Sequence, residues 1–145
     1  MSKKKINIAI IGATGYTGLD LVFLLSKHPK ANIVNLCARQ NLGKNISFFD
    51  KRIKKKLPKI SSINNIDWKK IDLVFLSLPN GESQRLIKKI YYKYKNIKFI
   101  DLSADFRITD SRKYRENYKI KHKAKKLIKE SIYAISEFVK KDINK

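Results

Sequence analysis

Apolar and polar positions along this chain are grouped in blocks whose periods switch between those of strand and helix. Ile6 to Ile11 is a short apolar run rich in isoleucine, the pattern of a strand buried on both faces of a parallel sheet. Leu19 to Leu25 is nearly all apolar and predicts a helix packed under the sheet. It ends at His28-Pro29, because proline disfavours helical geometry in the residue before it. Ile33 to Ala38 predicts a second strand. Asn41 to Lys70 is polar, lysine-rich and weakly periodic, with room for one short helix and one edge strand. The pattern sharpens at Asp72, where "DLVFLSLP" predicts a buried strand ending at Pro79 and Asn80-Gly81 makes a turn. From Glu82 to Tyr94 the apolar residues Leu86, Ile87, Ile90, Tyr91 and Tyr94 fall on one helical face. Ile97 to Leu102 supplies another strand. After Asp105 the chain turns polar and aromatic, as a loop with a helical piece rather than another core layer. Strands alternating with helices at this spacing predict an α/β fold, a Rossmann-like doubly wound and mostly parallel sheet with helices on both faces.

Composition adds limits to this picture. The 145 residues, 43% of them hydrophobic, are enough for one self-supporting domain and argue against wholesale disorder. A single cysteine, Cys37, excludes a disulfide framework and a multi-thiolate zinc site. No apolar stretch approaches the ~20 residues of a membrane span, and the polar turn at Gly12 interrupts any signal-like start. A reducing, cytoplasmic location is expected. The net charge of +22 invites a nucleic-acid reading, since polycations release counterions from phosphate backbones. The lysines are spread from Lys3 to Lys145 and no zinc-finger, RNP-like or arginine-rich motif is present, so compositional bias is the better account and no specific nucleic-acid partner is expected. Such a charge still attracts anionic ligands such as NADP and acyl phosphates.

Three places carry candidate chemistry. Gly12-Ala13-Thr14-Gly15-Tyr16-Thr17-Gly18 lies between a strand and a helix. Glycines there permit a tight turn and a close backbone approach, and a helix N-terminus offers free amides to a pyrophosphate. The end of the second strand is where an acidic residue would bond the ribose hydroxyls of NAD; this chain has Arg39, which suits a 2′-phosphate and favours NADP. Ser103 and Arg107, four residues apart beyond a strand end, are spaced to grip a phosphate or carboxylate. Cys37 at the end of a buried strand reads as a small apolar residue rather than a nucleophile. His28 and His122 lack a metal-ligand partner at useful spacing, so no metal site is expected; His28 ends a helix and His122 sits in the basic loop.

Taken in order, "IAIIGATGYTGLDLVFLLSKHP", "DLVFLSLPNGES", "FIDLSADFRITD" with Tyr114 and Tyr118, and "IYAISEF" resemble the N-acetyl-gamma-glutamyl-phosphate reductase family across essentially the whole chain. That family, related to aspartate-semialdehyde dehydrogenase, reduces an acyl phosphate to an aldehyde with NADPH in arginine biosynthesis, as homo-oligomers. The resemblance implies that Gly12, Thr14, Gly15, Tyr16, Thr17 and Gly18 cradle the pyrophosphate and that Arg39 meets the 2′-phosphate. It implies further that Pro79 and Gly81 line the nicotinamide side, and that Ser103 and Arg107 receive the acyl phosphate of a small-molecule substrate. In the family a cysteine thiolate attacks the acyl phosphate, phosphate leaves, and hydride reduces the thioester. That cysteine follows the segment matching Tyr133 to Glu137 and has no counterpart up to Lys145. Residues 1–145 are therefore expected to be an NADP-binding domain, binding cofactor and catalysing nothing alone. A stand-alone nucleotide-binding domain and an aspartate-semialdehyde-dehydrogenase-type reductase are the alternatives. The chain departs from the family at Asn80, where histidine is usual, and at Ala134 and Ser136, where glycine and proline are lost.

Overall fold

In the computed structural model, residues 4–134 are described, and they form a five-stranded sheet in the order β3-β2-β1-β4-β5. The strands are β1 (Ile6–Ile11), β2 (Ala31–Cys37), β3 (Ile60–Ser61), β4 (Leu73–Leu76) and β5 (Lys98–Asp101), and every neighbouring pair is parallel. Three helices accompany them: α1 (Tyr16–Lys27), α2 (Glu82–Tyr91) and α3 (Ser111–Tyr118). β1 lies at the centre, and Ala9 and Ile10 are fully buried, one on each face.

Parallel strands need crossover connections, and the crossovers cover both faces of the sheet. α1 packs Val22, with Leu19, Leu21 and Leu25 beside it, against Ile8, Ile10, Ile33 and Phe75. α2 sets Ile87 and Ile90 on the opposite face, over Ala9, Ile11, Val74 and Leu76. Each aliphatic side chain so buried contributes about 1.5–3 kcal/mol relative to exposure. α1 stops at His28, whose backbone is extended ahead of Pro29.

The expected fold is the observed one, with three differences in detail. The helix expected from Leu19 begins at Tyr16, so Tyr16, Thr17 and Gly18 form its first turn rather than the preceding loop. Residues 41–70 contain the edge strand β3, but their helical content is three short 3-10 turns at Ile46–Phe48, Ile63–Asn65 and Trp68–Lys70. Side-chain caps from Ser62 and Asp67 start the last two and compete with longer helices there. The segment after Asp105 does build core. Tyr114 is fully buried, and His122, Ala124, Leu127 and Ile128 are buried with it. α3 carries only one buried residue, Tyr114, so its amphipathic signal is too short to stand out in a lysine-rich stretch.

Candidate functional site

A cleft of about 870 Å³ opens at the carboxyl ends of β1, β2 and β4, the position at which open parallel sheets bind ligands. Its floor is the turn after β1. Gly12 has φ +85°, and a side chain there would overlap the carbonyl oxygen of Ser77, 2.0 Å from an added Cβ. Gly18 lies in the first turn of α1, where an added Cβ would come within 2.1 Å of the Gly12 carbonyl oxygen. The fold itself requires these two glycines, one to turn and both to let backbone pack on backbone.

Gly15 is different. Its φ of −75° and ψ of 164° suit any residue, and a Cβ there would meet only the Gly12 carbonyl oxygen at 3.6 Å. In this turn the positive φ is at Gly12, not at Gly15. Gly15 is the N-cap of α1, yet no side chain caps the helix and its first turn contains no acidic residue. Serine or threonine would cap this position better. The uncapped amides and the positive end of the helix dipole face a site lined by Gly12, Thr14 and Gly15.

The rest of the lining comes from two banks. Beyond β2 stand Ala38, Arg39, Gln40 and Leu42; across from them are Pro79 and, from α2, Glu82, Arg85, Leu86 and Lys89. Arg39 Nη2 is 2.7 Å from Glu82 Oε2, so an ion pair joins the banks. Cys37 also borders the cleft but is only 1% exposed. Burial pushes its thiol up, partly offset by a contact of 3.9 Å with Ser61 Oγ, and a protonated buried thiol is a poor nucleophile.

A second group of sequence-predicted residues, Ser103 and Arg107, follows β5 and is not part of the cleft lining. Arg107 Nε donates to the Ser103 carbonyl (3.1 Å), which brings the two side by side, and Arg107 is exposed. The Ser103 hydroxyl donates to Asp101 Oδ2 (2.8 Å) and accepts from the Asp105 N–H (3.1 Å). Asn80, the departure from the family pattern, ties two loops together, because its Oδ1 accepts the Ala104 N–H at 3.3 Å. Gly81 is buried outside the cleft lining and donates its N–H to Asp105 Oδ1 at 2.7 Å. Tyr16, Thr17 and Gly18 likewise lie outside the cleft lining, and Tyr16 is 94% exposed. Ala134 is exposed and Ser136 lies outside the described residues.

Asp105 is the centre of a buried network that the sequence pattern did not reveal. Its carboxylate accepts from Gly81 N, from Gln84 N at 3.0 Å and from the Tyr114 hydroxyl at 2.6 Å. Gln84 Nε2 donates to the same hydroxyl, and Lys123 N–H donates to Gln84 Oε1. His122 is buried rather than exposed in a basic loop. Its Nδ1 accepts from Ala124 N–H, which leaves Nε2 to donate to the Asp105 carbonyl at 2.7 Å. Burial lowers the His122 pKa, and burial together with the Asp105 carboxylate raises that of Tyr114. The network spans 9 to 39 residues of sequence separation, beyond the reach of any local pattern. Among the cleft residues not expected as site residues from the sequence, Glu82, Arg85, Leu86 and Lys89 carried a readable signal, their helical spacing on one side of the cleft.

A parallel sheet in this order, a glycine turn after β1 and a cleft at the carboxyl edge together define a Rossmann-like nucleotide-binding domain. The family described as "Semialdehyde dehydrogenase, NAD binding domain" matches residues 7–145, and the chain belongs to that family. It is 42% identical over 143 residues to the N-acetyl-gamma-glutamyl-phosphate reductase of Ehrlichia ruminantium (strain Gardel), covering 97% of this chain and 40% of that protein. It is 38% identical over 144 residues to a probable chloroplastic N-acetyl-gamma-glutamyl-phosphate reductase of Arabidopsis thaliana, covering 99% of this chain and 35% of that one. The chain thus spans about two fifths or less of the length of these relatives. Among solved structures, aspartate semialdehyde dehydrogenase with NADP from Candida albicans superposes with a TM-score of 0.56 at 21% identity, over 74% of this chain and 32% of that one. That likeness shows the fold. Among the described residues no helix is long and apolar enough to cross a membrane.

Proposed function

We propose that this chain is the NADP-binding portion of a reductase that converts N-acetyl-gamma-glutamyl phosphate to its semialdehyde. The observation that carries the cofactor half of the reading is Gly15, a glycine the backbone does not need, at an uncapped helix N-terminus on the floor of a nucleotide-sized cleft. The residues present fit a dinucleotide. The Gly12–Gly15 turn and the first-turn amides would take the pyrophosphate, Arg39 the 2′-phosphate, and Pro79 the nicotinamide side. Gly81 would act one step removed, by anchoring the Pro79–Gly81 turn to Asp105. Bound there, the cofactor supplies hydride to the reacting carbonyl.

The substrate half rests on the reductases at 42% and 38% identity and on the loop beyond β5. Arg107 is the group free to meet an acyl phosphate, because its guanidinium is exposed and fixed at one edge by the Ser103 carbonyl. Ser103, whose hydroxyl already bonds Asp101 and Asp105, holds the loop in shape. Titration with NADPH and NADH tests the cofactor half: the chain binds NADPH more tightly, and Arg39→Asp abolishes or reverses that preference by placing a carboxylate against the 2′-phosphate. Equal affinity for both cofactors in the unaltered chain, unchanged by Arg39→Asp, removes Arg39 from the site.

A further inference from the structure

The mouth of the cleft has basic groups on both banks and, among the described residues, one carboxylate in its lining. α2 presents Glu82, Arg85, Leu86 and Lys89 to it, spaced i, i+3, i+4 and i+7 on a single helical face. Arg39 faces them from the end of β2 and is held by Glu82 at 2.7 Å. The partners of this ion pair differ in freedom. The Arg39 side chain is 80% exposed, a long arm in water, whereas that of Glu82 is 24% exposed and rooted in the first turn of α2. A pair with one partner so exposed is weak and reversible, because water competes for the guanidinium and side-chain entropy is lost in holding it. A doubly charged phosphate can therefore take Arg39 over, but it must do so next to the Glu82 carboxylate.

We propose that Glu82 limits the preference of this cleft for NADP. It competes with the 2′-phosphate of NADP for Arg39 and repels that phosphate, while a cofactor with a hydroxyl in the same place meets neither obstacle. Arg39, Arg85 and Lys89 favour NADP; Glu82 narrows the margin. Discrimination between two ligands is a difference of affinities, and an unfavourable element against one of them shifts it as surely as a new attraction. This inference rests on the cofactor reading above.

Glu82→Gln keeps the side chain's shape and removes its charge. The dissociation constants of NADPH and NADH for the whole chain and the variant, by calorimetry at low and physiological salt, read the effect directly. The expected result is NADPH binding about three- to tenfold tighter in Glu82→Gln, NADH changed less than about twofold, and a smaller gain at higher salt. In an Arg39→Ala background the gain from Glu82→Gln shrinks, because the competition for Arg39 is gone and only the repulsion remains. Circular dichroism checks that each variant is folded. An unchanged NADPH-to-NADH ratio in folded Glu82→Gln, with both cofactors bound by the parent, overturns the role of Glu82 alone. If the parent binds neither cofactor, the cofactor reading fails first and this proposal falls with it.

Discussion

Replacing Asp105 by asparagine changes one buried atom and should cost the protein a large share of its stability. The carboxylate is fully buried and accepts three hydrogen bonds, from Gly81 N, Gln84 N and the Tyr114 hydroxyl. An asparagine of the same shape keeps one acceptor oxygen. Its best orientation leaves that oxygen with Gly81 and Tyr114 and turns the amide NH₂ towards the Gln84 N–H. One bond to a charged acceptor, worth about 1.5–3 kcal/mol, is lost, and a buried donor is orphaned at about 1–3 kcal/mol. Removing a buried charge returns part of this, so the net cost is about 3 kcal/mol. With a urea slope of about 1–3 kcal/mol/M, the unfolding midpoint should fall by about 1–3 M. Urea titration followed by circular dichroism measures it, with Trp68 fluorescence as a second probe. A shift smaller than about 0.3 M at an unchanged slope would refute the idea that this carboxylate organises the loops at the sheet edge.

Two further outcomes are expected. Burial lowers the folded-state pKa of His122 below the ordinary value of about 6.5, so the neutral ring's contribution is complete above that pH. It is lost as pH falls from about 6.5 towards the folded value, where only the unfolded chain gains the proton. The melting temperature of the unaltered protein should therefore drop more steeply than that of His122→Gln over this window. In a full-length reductase carrying this segment, Arg107→Ala should lower kcat/KM for the acyl phosphate by roughly 30-fold, about 2 kcal/mol, as steady-state kinetics will show.

The architecture was legible because its signals are local and strong. The isoleucine run of β1, the apolar heart of α1 and the one-sided pattern of α2 each exceed the noise of a lysine-rich sequence. The glycine turn was legible for the same reason: a strand, three glycines and a helix follow one another without a gap. The division of labour among those glycines was not, since overlap of Gly12 with Ser77 and of Gly18 with Gly12 depends on how separate segments pack. Arg39 could be read as a cation at the strand end, but its pairing with Glu82 joins residues distant in sequence and needs the sheet to bring them together. The Asp105 network was hidden for a further reason. Tyr114, Gln84 and His122 are of types common on protein surfaces, and only tertiary packing buries them.

The proposed cofactor site rests most on Gly15 being kept for a ligand rather than for the fold. Gly15→Val tests this directly, because φ of −75° tolerates a branched residue and the nearest non-neighbouring atom to its Cβ is 3.6 Å away. Titration of NADPH against folded Gly15→Val, with a circular dichroism melt alongside, separates the two roles. The expected result is a protein that melts within a few degrees of the parent and whose NADPH affinity falls by at least about 100-fold, because the valine occupies the path of the pyrophosphate. Binding of NADPH with undiminished affinity would reduce the opening turn to a connection between strand and helix and contradict the cofactor site.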